Sequence, residues 1–365
     1  MTCRCSAEAD EEDDTRDATG ATLSGILAAA VALVLTAGWT TPFAGAAGPG
    51  RVQIGEGDGP QSASLLVVNK SGHSLSILGP ASGEERARVP TGRSPHEVAV
   101  SPDGERAYVT DYGSGDRPGN TVTVIDLHRA EPVDTISLGR HTRPHGIDVA
   151  PDGTLWVTTE GSQHVLHLDP ASGAVLAAVE TGQEVTHMVE LVEEAGLAYA
   201  SSIGSGTVTV IDAEKGRVVG HLRTGAGAEG MDASPDGERV YVVNREAGTL
   251  SEISVSGGEV TRTLEVGRFP IRVASLPGGG ELLVSDARAN EVVRVDVDAW
   301  EVTGRIPVGS APVGIQLTPD GRRAFVANTR DDRIAVLDVE RGEVTGDLTA
   351  GEEPDGMAWI SGRDG

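Results

Sequence analysis

The sequence predicts an all-β chain folded as a seven-bladed β-propeller with four-stranded blades. Three observations lead there. A unit written out at 142–161 (TRPHGIDVAPDGTLWVTTEG) reads as a short alternating strand, a tight turn and a second alternating strand, and variants of it recur at Ser94–Tyr108, Glu229–Tyr241 and Ala311–Phe325. The residue that opens the unit, usually Pro, falls at 95, 144, 186, 228, 270, 312 and 354, so the last five intervals are 42 residues each and the first is 49. Each period has room for four short strands bounded by turn residues, and Val, Thr and Gly dominate where a helical pattern would need Ala, Leu and Glu.

Taken in order, residues 1–22 are polar and acidic, with the run Glu8–Asp17, and are expected to be disordered. Leu23–Ala37 is a continuous run of small and apolar residues, followed by Trp39, Pro42 and Ala44-Gly45-Ala46. Residues 23–46 therefore read as a signal peptide, or as an N-terminal anchor if uncleaved. The run is shorter than the ~20 residues of a membrane-spanning helix, and the segment before it is acidic where a signal is normally basic. Residues 47–62 form a Gly-rich linker. The expected location is periplasmic or extracellular, with membrane anchoring through 23–39 as the alternative.

The propeller spans 63–361. The turn after the first strand of the unit reads Pro-Asp-Gly at 102, 151, 235 and 319 and degrades to Pro-Gly-Gly-Gly at 277. Pro and Asp suit the front of a type I turn, and Gly supplies the positive φ needed to re-enter a strand. Second strands follow at Ala107–Asp111, Val240–Asn244 and Ala324–Asn328, third strands at Thr121–Asp126, Thr207–Asp212 and Ile334–Asp338, and fourth strands usually end in Gly. The piece 64–90 holds only strands two to four, and Pro354–Ile360 only a first strand. Joined, they complete one blade, so both termini latch the ring and leave no broad unpaired edge.

Charge and cysteine content narrow the function classes. The 365 residues carry a formal charge of −26. The first 46 hold two basic and seven acidic side chains, which leaves −21 on the rest. Such a surface repels nucleic acid and anionic membranes and favours solubility, cationic partners or a salty medium. The two cysteines, Cys3 and Cys5, both precede the apolar run. The folded part therefore has no disulfide, thiolate nucleophile or thiolate metal site. A Gly-rich phosphate loop, a G-x-S-x-G elbow, HExxH and an EF-hand loop are all missing from the sequence.

Tyr241-Val242-Val243-Asn244, Tyr108-Val109-Thr110-Asp111 and Phe325-Val326-Ala327-Asn328, with Thr-Val-Thr-Val-Ile-Asp at 121–126 and 207–212, resemble the YVTN-type propeller repeat family over about residues 63–361. The resemblance implies an exported bacterial or archaeal propeller related to those of nitrous oxide reductase and cytochrome d1-type nitrite reductase. It implies architecture and location more than chemistry. A local resemblance joins Pro144-His145-Gly146-Ile147 and Pro151–Trp156 to streptogramin lyase, a metal-dependent propeller. It implies His145 as a base and Glu160 or Glu190 as a carboxylate on Mg²⁺.

The residues after the opening position should ring one mouth of the channel: His96, His145, His187, Glu229, Ile271, Val313 and Asp355. Five of them, Asp355, His96, His145, His187 and Glu229, are contiguous around the closed ring and form a candidate site for a divalent metal such as Zn²⁺, Cu²⁺ or Fe²⁺. The alternative is a hydrated polar rim. Asp148, Glu190 and Asp232 lie three residues further on and face the opposite side of a regular strand. They line the channel too only if the strand entry is irregular, and otherwise bond to neighbouring blades. The long first period adds residues within Tyr112–Asn120 and Arg140–Arg143, bringing Arg117, Arg140, His141 and Arg143 as a candidate anion-binding spot. Asn69, Asp111, Asn244, Asp286 and Asn328, which end second strands, are expected to cap turns.

The expected function is that of an exported, monomeric binding or scaffold propeller for a protein or small-molecule ligand at the mouth face. The alternatives are a metal-dependent lyase or oxidoreductase using the histidine arc, and a cell-surface adhesion or surface-layer propeller. Neither nucleic acid nor membrane contact is expected beyond the N-terminal anchor.

Overall fold

The computed structural model describes residues 63–362. The cysteines, the apolar run and the linker lie outside the described residues. Seven four-stranded antiparallel sheets follow one another, numbered here as blades 1–7 from their inner strands Pro95–Val100, Pro144–Val149, Thr186–Val192, Ala228–Ala233, Pro270–Ser275, Pro312–Leu317 and Pro354–Ile360. Blade 7 closes the ring as the repeat arithmetic requires. Its inner strand pairs with Ser64–Asn69, Leu65 opposite Trp359 and Val67 opposite Met357, and Ser74–Leu78 and Glu85–Pro90 complete it.

The blades hold together through their faces. Second strands such as Ser64–Asn69 are buried at every residue, because successive side chains enter the two neighbouring gaps. Leu66 and Val68 join the cluster facing blade 1, whereas Leu65 and Val67 join the one facing blade 6. Apolar clusters fill all seven gaps between blades. Fourth strands, at the rim, alternate exposed and half-buried residues, as in Glu259–Glu265.

The turn chemistry follows the sequence. Gly104, Gly237 and Gly321 take φ of 71°, 67° and 66°. The Asp before each accepts the amide two residues on: Glu105, Glu238 and Arg322 at 3.0–3.1 Å. Of the strand-two side chains expected to cap the following turn, Asp286 does so, accepting from the amides of Arg288 and Ala289, whereas Asp111 and Asn69 bond instead to the loop that enters their own blade. Asp111 accepts from the amide of Gly92 and the hydroxyls of Thr121 and Thr123, and Asn69 accepts from the amide of Gly351. These contacts also explain the recurrent Gly after strand four. A Cβ at Gly92 or Gly351 would fall within 2.5 Å of the Asp111 or Asn69 side chain.

Two features position the channel mouth. Each inner strand enters with a β-bulge, for example between Pro144 and Ile147 and between Thr186 and Val189. One extra residue lets residues three apart share a side, the irregularity the sequence left open. In addition, the hydroxyl residue before the strand-two cap rivets blade to blade. Thr158 accepts from the amide of Gly146 in its own blade at 2.8 Å and donates to the carbonyl of His187 in the next at 2.5 Å. Thr110 bridges to His145 and Ser201 to Glu229 in the same way. Thr158→Val preserves shape but strands a buried amide and carbonyl, and is expected to cost about 1–3 kcal/mol, measured by urea unfolding. No loss of stability would deny the rivet.

Candidate metal centre at the channel mouth

The ring positions converge as the repeat predicts, but they pair off unequally. His96 Nδ1 lies 3.0 Å from Asp355 Oδ2, and Lys70 stands 3.8 Å from the same oxygen. Glu229 Oε2 accepts from Arg245 at 2.8 Å. His187 sits between two carboxylates, with Nδ1 2.6 Å from Glu160 Oε1 and Nε2 2.9 Å from Glu229 Oε1. Glu160 in turn accepts from the Tyr112 hydroxyl at 2.5 Å. The rings of His96, His145 and His187 form a stack, with centroids 4.5 Å and 3.7 Å apart, and Tyr112 flanks it 4.6 Å from His96.

Electrostatics divides the histidines into two kinds. Burial opposes charge on His187, yet Glu229 and Glu160 outweigh it and push its pKa up to about 9. It is an imidazolium at neutral pH. Burial pulls the other way on Glu160 and Glu229, but His187 holds both below the usual carboxylate range. His145 is 5% exposed; burial, then the neighbouring His187 and His96, hold its pKa well below 6.5. It is neutral, and its buried Nδ1 makes no hydrogen bond to the described residues.

His145, Glu160 and His187 could hold a metal ion, because they offer ligand atoms all within 4.8 Å of one another. Atoms bound to one tetrahedral Zn²⁺ at ~2.0–2.2 Å stand ~3.3–3.6 Å apart, so a pair at the 4.8 Å limit would have to close by more than an ångström. His187 would have to give up a proton to serve as a ligand. Glu229, braced by Arg245, is placed to fix the far nitrogen of His187, the usual outer support of a ligating imidazole. Of the five ring residues proposed as ligands, the structure groups His145 and His187 and adds Glu160. His96 and Asp355 pair with each other, and Glu229 stands behind His187.

The remaining sequence candidates are distributed as follows. Arg143 reaches the site's edge, its guanidinium 5.2 Å from the Tyr112 ring centroid. Arg117 and Arg140 are exposed. His141 is buried, bonded to Ser162 and packed on His164, so its ring faces inward. Asp148, Glu190 and Asp232 bind the next blade, accepting from the amides of Leu191, Ala233 and Ser275. Glu190 is therefore set apart from the histidines, and Glu160 is the carboxylate that meets them.

Sequence reasoning missed Lys70, Tyr112 and Arg245 as mouth residues; with Glu160, which only the local lyase resemblance named, each follows the residue that caps strand two. That regular offset was the available signal. It also missed the channel floor, where Arg272 of blade 5 bonds Glu97 of blade 1 across the ring, both side chains about 10% exposed.

A family profile described as "Phytase-like: Esterase-like activity of phytase" matches residues 98–272, just under half of the chain. The matched stretch contains Tyr112, His145, Glu160, His187 and Glu229. No curated protein matches. Among solved structures, hydrazine synthase of Kuenenia stuttgartiensis is similar with a TM-score of 0.67 at 22% identity, over 80% of this chain and 99% of that one. A functionally unknown protein from Desulfotomaculum acetoxidans DSM 771 is similar with a TM-score of 0.70 at 14% identity, over 82% and 99%. At these identities the likeness concerns the fold, a seven-bladed β-propeller.

Proposed function

We propose that this chain is an exported binding propeller that holds a divalent transition-metal ion at its channel mouth through His145, His187 and Glu160, and offers the ion's open positions to a ligand arriving from solvent. The observation that carries the reading is the convergence of His145, Glu160 and His187, whose ligand atoms lie within 4.8 Å of one another, with a buried His145 Nδ1 that makes no hydrogen bond to the described residues. Nitrogen and carboxylate donors without sulfur suit Zn²⁺, Co²⁺ or Fe²⁺. The Arg272–Glu97 pair beneath favours ligand entry from the mouth rather than through the channel.

A hydrolytic role is the second reading, favoured by the esterase-like description of the matched family profile. A metal at this site would polarise an ester carbonyl or lower the pKa of a bound water. The site's own residues would orient the ester and exclude bulk water from it.

The test is calorimetry of the chelator-treated full chain with Zn²⁺ and Co²⁺, beside His145→Ala and His187→Ala variants. One equivalent should bind, with affinity falling at least about a hundredfold in either variant. Equal binding in wild type and variants, or none in any, would remove the metal site. Turnover of an aryl ester by the loaded wild type alone would select the hydrolytic reading.

A further inference from the structure

The mouth is chemically two-sided. Five ring positions in blades 7 and 1–4 are polar, and the other two are Ile271 and Val313. At their boundary sits Phe269, just before the Pro that opens blade 5. Two arginines stack on its ring, Arg245 at 5.5 Å and Arg288 at 4.0 Å from the centroid. Arg288 is exposed and has no carboxylate partner among the described residues. Arg245 spends one nitrogen on Glu229, while its buried Nε makes no hydrogen bond to the described residues. The Arg288 guanidinium, with no carboxylate partner among the described residues, concentrates positive potential locally on a chain of charge −26. Stacking on an aromatic face also holds a guanidinium fork in a fixed direction at low entropic cost.

We propose that Arg245 and Arg288, stacked on Phe269, form the anion subsite of this mouth, and that the ligand is an organic anion with an apolar body. The contacts run continuously from the histidines: His187 meets Glu229, Glu229 meets Arg245, and Arg245 meets Phe269. The acid group of the ligand meets the two guanidinium groups, and its apolar body lies toward Phe269, Ile271 and Val313. The inference deepens the metal-site reading by naming the ligand class, and rests on it only for the neighbouring ion.

The experiment titrates the full chain, metal-free and Zn²⁺-loaded, with phenylacetate, phenyl phosphate and inorganic phosphate. Arg288→Met leaves the Arg245–Glu229 pair intact. It should weaken phenylacetate and phenyl phosphate at least tenfold while Zn²⁺ affinity stays within twofold. Phe269→Leu should weaken them further relative to inorganic phosphate, which should bind wild type at least tenfold more weakly than phenyl phosphate. Replacing Arg117, Arg140 and Arg143 together should change these affinities less than twofold. Unchanged binding in Arg288→Met, a loss confined to the triple variant, or no binding of any organic anion by wild type would each overturn the assignment. Equal affinity for inorganic and phenyl phosphate would overturn the apolar body. Should Zn²⁺ fail to bind, the metal reading falls alone, because the Arg288→Met comparison is still decided in metal-free protein.

Discussion

Replacing Arg272 with Met is expected to lower the unfolding free energy by about 3–5 kcal/mol. The guanidinium is buried in the channel and bonded to Glu97, with Asp355 and Glu229 adding to the field that holds its charge. Without it, Glu97 becomes a buried carboxylate with no cation bonded to it. Burial already pushes the Glu97 pKa up even with Arg272 beside it, so the orphaned acid takes up a proton rather than remaining charged, which favours the lower end of that range. The double variant Glu97→Gln/Arg272→Met should recover most of the loss, because a neutral pair costs little to bury. Urea unfolding of the wild type, both single variants and the double variant gives the coupling directly. A near-neutral Arg272→Met would show that water reaches the channel floor and screens the pair.

The Asp148–Glu190–Asp232 cluster should contribute stability that is lost as pH rises from about 4 to 8, and Asp232→Asn should remove much of that contribution. Burial drives the Asp232 pKa up to about 7, with Asp148 adding to it, although backbone amides pull it down. Asp148 is pushed up to about 6, chiefly by burial, and Glu190 between them well above its ordinary value by burial and by both neighbours. A folded-state pKa above the unfolded 3.8 means that the native state holds the extra proton. That stabilisation is complete below the unfolded value and disappears as pH climbs through about 7. A shift of roughly three units corresponds to about 4 kcal/mol for an isolated group, and sharing among three carboxylates reduces the part that one substitution recovers. Asn retains an oxygen for the Ser275 amide. The measurement is the difference in unfolding free energy between pH 5 and pH 8 for wild type and variant; equal slopes would refute the assignment.

Much of the architecture was legible because a propeller repeats one local solution. The 42-residue period, the Pro-Asp-Gly turns and the truncated end pieces specify blade number, strand order and closure, and the closing sheet has the pairing the arithmetic demanded. The opening residue of each period likewise placed His96, His145 and His187 at one mouth. Which carboxylate meets them was not legible from the ring positions. Glu160 lies on a different loop, in the blade before His187, at an offset whose counterparts in other blades are Lys70, Tyr112 and Arg245, so the repeat places it at the mouth without making it a ligand; only the local lyase resemblance named it, beside Glu190.

The sequence alone thus determined the fold and the first ring of side chains at the mouth, because turn chemistry and two-residue alternation act over a few neighbouring residues. Tertiary structure decided the pairings. Asp148, Glu190 and Asp232 bond the next blade although each strand entry carries a bulge, and ring closure brings Arg272 against Glu97, 175 residues away in the chain. It likewise sets His187 between two carboxylates while leaving His145 Nδ1 with no hydrogen bond to the described residues. Charge state depends on burial and on partners within a few ångströms, and for this mouth those partners come from different blades whose distances only the closed ring fixes.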